Sequence, residues 1–166
     1  MTGKPRTEDA APVRRIDHVA IAAHDADAAA QYYEGTLGMR RVRDEEVAET
    51  GSRLVWLEPV GMPAGGARFQ IVQPLRDGPV AEFLSLRGEG LHHVCFAVDD
   101  AAAFLAERGE EESALFTGGF GLPCAFLGSA PEGMAVEIVE PAPGAQASPV
   151  DPVDPVDPVG AEHPWT

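Results

Sequence analysis

Short apolar runs with strand-like composition surround an alanine-rich segment in the first half of the chain. The run IDHVAIAA at 16–23 is rich in Ile, Val and Ala and is short enough for a β-strand. The next segment, 25–38, has Asp25 as an N-cap, alanines in its interior and Gly38 at its end, which predicts a helix. Three further strand-like runs follow at 39–47, 52–59 and 67–74. The pattern predicts one βαβββ module over 15–76.

The same order recurs in the second half of the chain. Residues 77–90 predict a linker helix with Pro79 at its first position. The run LHHVCFAV at 91–98 predicts a strand, and 99–109 predicts a helix. Weaker strands are expected at 113–117, 123–128 and 134–140. The sequence therefore predicts a second βαβββ module over 91–141 and an α+β fold with a curled mixed sheet.

Both ends of the chain differ in composition from these modules. Residues 1–14 are polar and contain proline, which predicts a flexible arm. The tail at 142–166 contains PVDPVDPVDPVG, and proline at every third position excludes a helix or a central strand. An extended, acidic, disordered tail is expected.

The two modules repeat one another at positions that bear polar side chains. Aligning IDHVAIA with LHHVCFA places His18 on His93, and aligning RFQIVQP with AVEIVEP places Gln70 on Glu137. Strand alternation directs His92 to the face opposite His93. Two modules related by a pseudo-twofold axis would bring four side chains together from four strands: His18, His93, Gln70 and Glu137.

Two imidazoles, a carboxylate and an amide oxygen form a ligand set suited to a divalent first-row metal ion. A single strand histidine is usually a satisfied core residue, but four metal-competent residues at equivalent repeat positions are a stronger indication. One carboxylate leaves the bound dication with net positive charge, which suits polarisation of a carbonyl or stabilisation of an enolate. Co, Ni, Mn, Zn and Fe all remain open.

The charge, hydropathy and cysteine content of the chain limit which binding partners and which cellular location are expected. The chain has 12 Lys+Arg against 27 Asp+Glu, a formal net charge of −15, which argues against binding nucleic acid or an anionic membrane. The sequence contains neither an apolar run long enough to span a bilayer nor a secretory leader, so a cytoplasmic location is expected. Cys95 and Cys124 lie in apolar surroundings without CxxC spacing and are expected to be buried thiols rather than a disulfide.

The stretches IDHVAIAAHDADAAAQYYEGTLGM, FQIVQPLRDGPVAEFLSLRGEGLHHVCFAVDD and VEIVEP resemble the vicinal oxygen chelate (VOC) superfamily. The methylmalonyl-CoA epimerases are its most similar members, and glyoxalase I is a more distant one. The resemblance covers 15–141 and implies a glyoxalase fold, a metal ion held by His18, Gln70, His93 and Glu137, a carbonyl or acyl-thioester substrate, and a homodimer. The segment 110–123 departs from the usual loop of the family.

One departure bears on the chemistry. The resemblance implies that epimerases use two acidic side chains on opposite faces of the substrate, one of which corresponds to Glu137. The other corresponds to Leu54, which cannot transfer a proton. Glu45, Glu46 or Glu49 from the neighbouring loop, or Glu58 on the same strand, are the alternatives. On regular pleating Trp56 shares the face of Leu54, and the two are expected to form an apolar substrate-binding wall.

Three functions remain open at this stage. The first is a metal-dependent epimerase or isomerase in which another group replaces the missing acid. The second is a repurposed metalloenzyme of a biosynthetic pathway, such as a lyase, decarboxylase or dehydratase, with Glu137 as the sole protein base. The third is a non-catalytic protein that binds a small molecule or an antibiotic. The four ligand positions argue against the third. The glyoxalase I and dioxygenase alternatives fit less well, because the stretch HVAIAAHDAD that starts at His18 contains no Arg and because Gln70 occupies a plausible ligand position.

Overall fold

A single mixed β-sheet carries the site residues of the protein. The computed structural model describes residues 12–111, 114–131 and 133–143, and most of the predicted arm and tail lies outside them. In the first module the elements are β1 Arg15–Ala22, α1 Ala26–Leu37, β2 Arg40–Val47, β3 Ser52–Glu58 and β4 Arg68–Pro74. They continue with α2 Pro79–Arg87, β5 Gly90–Ala97, α3 Ala101–Arg108, β6 Phe116–Thr117, β7 Pro123–Phe126 and β8 Ala135–Val139.

The predicted caps begin and end the helices. The Asp25 carboxylate accepts hydrogen bonds from the backbone N–H groups of Asp27 and Ala28 at 2.9 and 3.0 Å, and α1 starts one residue later. Gly38 ends α1 with a left-handed backbone (φ 64°), as does Gly109 after α3 (φ 71°). The two modules therefore use the same local signals to turn from strand to helix and back.

The strand order is β2-β3-β4-β1-β5-β8-β7-β6, so the two modules join through β1 and β5. These central strands are antiparallel, β4 runs parallel to β1, and β8 runs parallel to β5. The arrangement is symmetric about the β1–β5 pair, as the internal repeat predicted. The expectation of an α+β fold with two βαβββ modules is confirmed.

The two faces of the sheet have different roles. Helix α1 packs on one face in a cluster that includes Ala26, Val55 and Ile71, and α3 packs on it in a second cluster around Leu105 and Ile138. Strand alternation then directs the intervening residues of the same strands to the opposite face. That opposite face lines the cavity described below.

Candidate metal centre and cavity

Four adjacent strands carry the four predicted ligands to the cavity face of the sheet. His18 lies on β1, Gln70 on β4, His93 on β5 and Glu137 on β8. All four side chains line one cavity, and their residues are only 3 to 5% exposed. Burying this many polar groups is costly unless they bind one another or a ligand. The expectation that the repeat brings them to one place is met by the geometry.

The polar atoms of three of these residues lie at mutual contact distance. His18 Nε2 is 3.3 Å from His93 Nε2, and Glu137 Oε2 is 3.3 Å from each of these two nitrogen atoms. Ligands bonded at about 2.1 Å to one ion, at octahedral or tetrahedral angles, lie roughly 3.0 to 3.4 Å apart. The donor set and its spacing therefore fit a divalent first-row metal ion.

Gln70 and Cys95 complete the surroundings of this triad. Gln70 pairs with Ala20 of β1 and with Trp56 of β3, so its amide lies on the same face. Cys95 pairs with Glu137 across β5 and β8, and its sulfur lies within 4.8 Å of the ligand atoms of His18 and Glu137. Burial, together with the Glu137 carboxylate, raises the pKa of the Cys95 thiol well above its usual value. Cys95 and Cys124 are buried free cysteines, as expected.

A β-bulge precedes each of the two histidines. Between the pairs Ile16–Phe96 and His18–Cys95, Asp17 is the extra residue on β1. His92 is the extra residue on β5, between the pairs formed by Ala20 and Ile21. Both extra residues line the cavity. The prediction that His92 points to the opposite face is therefore wrong, because the bulge interrupts the strict alternation of the strand.

Asp17 contacts the ring nitrogen of His18 that does not face His93. Its Oδ1 lies 3.1 Å from His18 Nδ1, and its Oδ2 lies 2.8 Å from Arg15 and 3.4 Å from Arg68. Burial alone would raise the pKa of Asp17, but the hydrogen bond with His18 and the nearby Arg68 outweigh it and hold that pKa below its usual value. An ionised Asp17 that accepts the Nδ1 proton leaves His18 Nε2 with a free lone pair toward the cavity.

The second histidine has an imidazole neighbour instead of a carboxylate. His92 Nδ1 lies 2.7 Å from His93 Nδ1, and the His92 ring packs edge-on against Phe83. Burial, aided by the charge of His93, lowers the pKa of His92 to about 4. His92 is therefore neutral near pH 7, and the two repeats differ in the charge that supports each histidine.

Glu137 is held as a carboxylate despite its burial. Burial would raise its pKa, but the hydrogen bonds with His18 and His93 outweigh that effect and lower the pKa far below its usual value. The pKa of His18 is raised in turn, because contacts with Asp17 and Glu137 outweigh the opposing effect of burial. The centre thus combines an anionic oxygen with two imidazoles in a space sheltered from solvent.

The cavity above the four residues has a volume of about 550 Å³ and is mostly apolar. Leu54 and Trp56 of β3, which are 6% and 2% exposed, form one wall, as expected from strand alternation. The second module contributes the aromatic rings of Phe116, Phe120 and Phe126. Such a cavity accommodates a small organic molecule whose polar end faces the histidines.

The segment 118–121, which we call the GGFG segment, was not singled out from the sequence. It belongs to the second module, yet it packs on the Leu54–Trp56 wall of the first, with the Phe120 ring 4.9 Å from the Trp56 ring. Two adjacent glycines and a third after Phe120 were the available signal, because such runs permit close backbone approach.

The glutamates considered as substitutes for the missing acid have other contacts. Glu45 accepts hydrogen bonds from Trp56 Nε1 at 3.0 Å and from the backbone N–H of Phe120 at 2.8 Å. Glu58 lies 3.8 Å from Arg40 at the end of β3. Glu49 lines the cavity, but its carboxylate accepts the backbone N–H of Thr117 at 2.9 Å.

Comparison with known proteins identifies the family. Residues 17–120 match the model of the Glyoxalase/Bleomycin resistance protein/Dioxygenase superfamily. The chain belongs to this superfamily. YqjC, an uncharacterized protein of Bacillus subtilis, is 29% identical over 78% of this chain and 94% of its own length. Human mitochondrial methylmalonyl-CoA epimerase is 34% identical over 54% of this chain and 49% of its own length.

Solved structures give the same result for the fold. A Streptomyces coelicolor methylmalonyl-CoA epimerase, in a glutamate-to-leucine variant bound to 2-nitronate-propionyl-CoA, superposes with a TM-score of 0.72 at 30% identity. The superposition covers 82% of this chain and 100% of that one. Within the described part of this chain, no helix is long and apolar enough to cross a membrane.

Proposed function

We propose that this protein is a divalent-metal-dependent enzyme that removes the proton next to a carbonyl or thioester group and stabilises the resulting enolate. The observation that carries the proposal is the buried triad of His18, His93 and Glu137, whose polar atoms lie 3.3 Å apart on the floor of a cavity. The epimerase relatives support the substrate type, because their names specify methylmalonyl-CoA.

Each residue has a distinct task in this proposal. His18, His93, Glu137 and the Gln70 amide would hold the metal ion, which when bound supplies a Lewis acid for the substrate oxygen. Glu137 would also accept the proton from the carbon, since its carboxylate lies in the cavity at 3.3 Å from both histidines. Its low pKa makes the Glu137 carboxylate a weak base. Polarisation of the substrate carbonyl must therefore make the proton on the neighbouring carbon more acidic.

Leu54 limits proton transfer to one face of the substrate in this proposal. A two-base epimerisation needs a proton donor on the face opposite Glu137, and Leu54 with Trp56 makes that wall apolar. The enzyme would therefore remove and return the proton on the same face. The expected reaction is enolisation with retention of configuration or, for a substrate with a leaving group on its β-carbon, elimination in which the enolate expels that group instead of taking back the proton.

The first test is metal content. Full-length protein is incubated separately with Co, Ni, Mn and Zn, desalted and measured by mass spectrometry, beside His93→Ala and the control variant His24→Ala. His24 is an exposed histidine between β1 and α1, so its variant tests for non-specific metal binding at the surface. About one ion per chain in wild type and His24→Ala, and none in His93→Ala, supports the site. No ion in wild type overturns the proposal and favours a non-catalytic binder.

The second test follows deuterium. Metal-loaded protein is mixed in D₂O with separate epimers of methylmalonyl-CoA and of 2-phenylpropionyl-CoA, whose side groups are charged and apolar. One-sided enolisation predicts metal-dependent deuterium uptake into one epimer of a thioester without conversion to the other. Rapid interconversion would instead require a second proton donor and refute the assignment of Glu137 as sole base. Absence of exchange in both thioesters would refute enolisation.

A further inference from the structure

The GGFG segment lies too close to the Leu54–Trp56 wall for any side chain or ligand to come between them. A Cβ atom at Gly119 would overlap Trp56 Cζ2 and would lie 3.1 Å from Leu54 Cδ1. A Cβ atom at Gly118 would lie 2.6 Å from the sulfur of Cys124. The two glycines therefore permit a contact that no larger residue allows without movement of the backbone.

Polar groups from the first module hold the segment in place. The Glu45 carboxylate accepts the Phe120 N–H and the Trp56 indole N–H through the same oxygen, at 2.8 and 3.0 Å. Phe120 adopts a left-handed backbone (φ 57°), which is unfavourable for a residue with a side chain. These hydrogen bonds compensate for that strain and fix the Phe120 ring against Trp56.

The cations near Phe120 are engaged elsewhere. The guanidinium groups of Arg43 and Arg68 each lie 4.7 Å from the centre of the Phe120 ring. Arg43 is paired with Glu45 at 2.7 Å, and Arg68 contacts Asp17 at 3.4 Å. Neither arginine lines the cavity, so neither is placed to donate a hydrogen bond to a ligand inside it.

The cavity wall has little to offer an anionic side group. Within the described residues, Arg76 is the one Lys or Arg of its lining, and its guanidinium donates to the backbone oxygens of Ala48 and Glu49 at 3.1 and 2.9 Å. Glu49 and Asp77 line the same cavity and add negative charge. The Arg68 guanidinium lies 5.3 Å from the centre of the Trp56 ring, so a carboxylate buried against Leu54 and Trp56 would have to compete with Asp17 for it, which is unfavourable.

From this arrangement we infer that the GGFG segment, Leu54 and Trp56 form an apolar subsite that selects substrates with an aromatic or aliphatic group beside the chelating oxygens and rejects a dicarboxylic acyl group. Gly119 is the residue that determines this specificity, because its lack of a Cβ seats Phe120 on Trp56. The inference rests on the proposed function for the position of the chelating oxygens, and it departs from the charged acyl group of methylmalonyl-CoA.

The test uses two chelators that share one metal-binding group. Benzohydroxamic acid carries a phenyl ring, and the monohydroxamate of succinic acid carries a carboxylate. Calorimetry on full-length protein, with and without Zn²⁺, gives the affinity of each probe. We expect benzohydroxamate to bind at least about tenfold more tightly to wild type, since it buries a ring where the other probe buries a charge.

Three variants separate the subsite from the metal centre. In Gly119→Ala the ratio of affinities should fall below about threefold, since the segment must move off Trp56. Phe120→Gly removes the ring and relieves the positive φ, so it tests the same point in a chain without that strain. Gly35→Ala is the matched control, because a Cβ there meets nothing within 4 Å, and it should keep the wild-type ratio.

The two proposals fail in different ways. Equal affinities of the two probes for wild type, or an unchanged ratio in both Gly119→Ala and Phe120→Gly, would overturn the apolar subsite. Binding of both probes that is independent of Zn²⁺ would overturn the proposed metal centre, while the ratio would still report on the subsite. If neither probe binds wild type in the presence of Zn²⁺, both proposals are overturned.

Discussion

Replacing Asp17 by Asn should weaken metal binding while leaving all four proposed metal-binding side chains in place. The Asp17 carboxylate lies 3.1 Å from His18 Nδ1 and is 3% exposed, so solvent screens the contact poorly. Asn keeps the size of the side chain but removes the charge. His18 then loses the partner that fixes its tautomer, and Arg15 and Arg68 lose the anion that neutralises them near the metal.

The magnitude follows from these contacts. Loss of the carboxylate that supports a metal-binding histidine typically lowers affinity by about 10- to 100-fold. A factor of that size corresponds to about 1.4 to 2.7 kcal/mol of binding free energy. The two uncompensated arginines act in the same direction as the loss of the tautomer, so we expect the upper part of this range.

The assay is a competition between the protein and a chromophoric Zn²⁺ chelator, with Asp77→Asn as the matched control. Asp77 is an exposed carboxylate on the same cavity, so the control carries the same chemical change at long range. We expect Asp77→Asn to differ from wild type by less than about threefold, since exposed charges are screened by salt. If Asp17→Asn binds Zn²⁺ as tightly as wild type does, the support of His18 by Asp17 is refuted.

Three other substitutions test the fold and its charges. Asp27→Asn should lower the melting temperature at pH 6, because hydrogen bonds from Arg53 and Arg41 hold the pKa of Asp27 at about 2; the difference from wild type should shrink below pH 4 and be lost only below about pH 2. Glu45→Ala should cost about 1 to 3 kcal/mol in urea unfolding, since the Trp56 indole N–H loses its acceptor, whereas Glu45→Gln should cost less. Leu105→Ala should cost about 2 to 5 kcal/mol in the same assay, since it leaves a cavity under α3, and a cost below about 1 kcal/mol would contradict that packing.

The sign of the Asp27 prediction follows from the direction of its pKa. A carboxylate whose pKa is depressed in the folded state contributes stability above its unfolded pKa and loses that contribution as the pH falls through the folded value. Asp27 joins α1 to β3 through Arg53 at 2.9 Å, and the Asp27 side chain is solvent-exposed while Arg53 is half-buried. High salt should therefore reduce the difference as well.

The element order, and the meeting of His18, Gln70, His93 and Glu137 in one cavity, were predictable from caps and from the internal repeat. Asp25 and Gly38 bound a helix by hydrogen bonds within their own neighbourhood, and the repeat of His18 on His93 is visible by alignment alone. The bulge at His92 was not predictable, because an extra residue in β5 is defined only by its pairing with β1.

The GGFG segment was missed for the same physical reason. Nothing near Gly119 in the sequence indicates that its backbone lies against Trp56, which belongs to the other module. The sequence offers Glu45 as one alternative to the missing acid, yet its carboxylate joins Trp56 to Phe120 across the two modules. Residues whose role depends on contacts between distant segments carry no periodic or capping signal.

The apolar residue at position 54 and the close approach of the GGFG segment belong to one structural solution. A carboxylate at that position would lie under the Gly119 backbone beside Trp56, removed from water, and the nearby Arg68 guanidinium already contacts Asp17. Leu54 instead adds apolar area to the contact and excludes solvent from that side of the cavity. This apolar wall therefore provides no second proton donor, and it also limits which substrate groups fit beside it. Under the proposed function, the stereochemical outcome and the choice of acyl group would be two consequences of a single packing arrangement, so the deuterium and hydroxamate experiments test the same wall by independent observables.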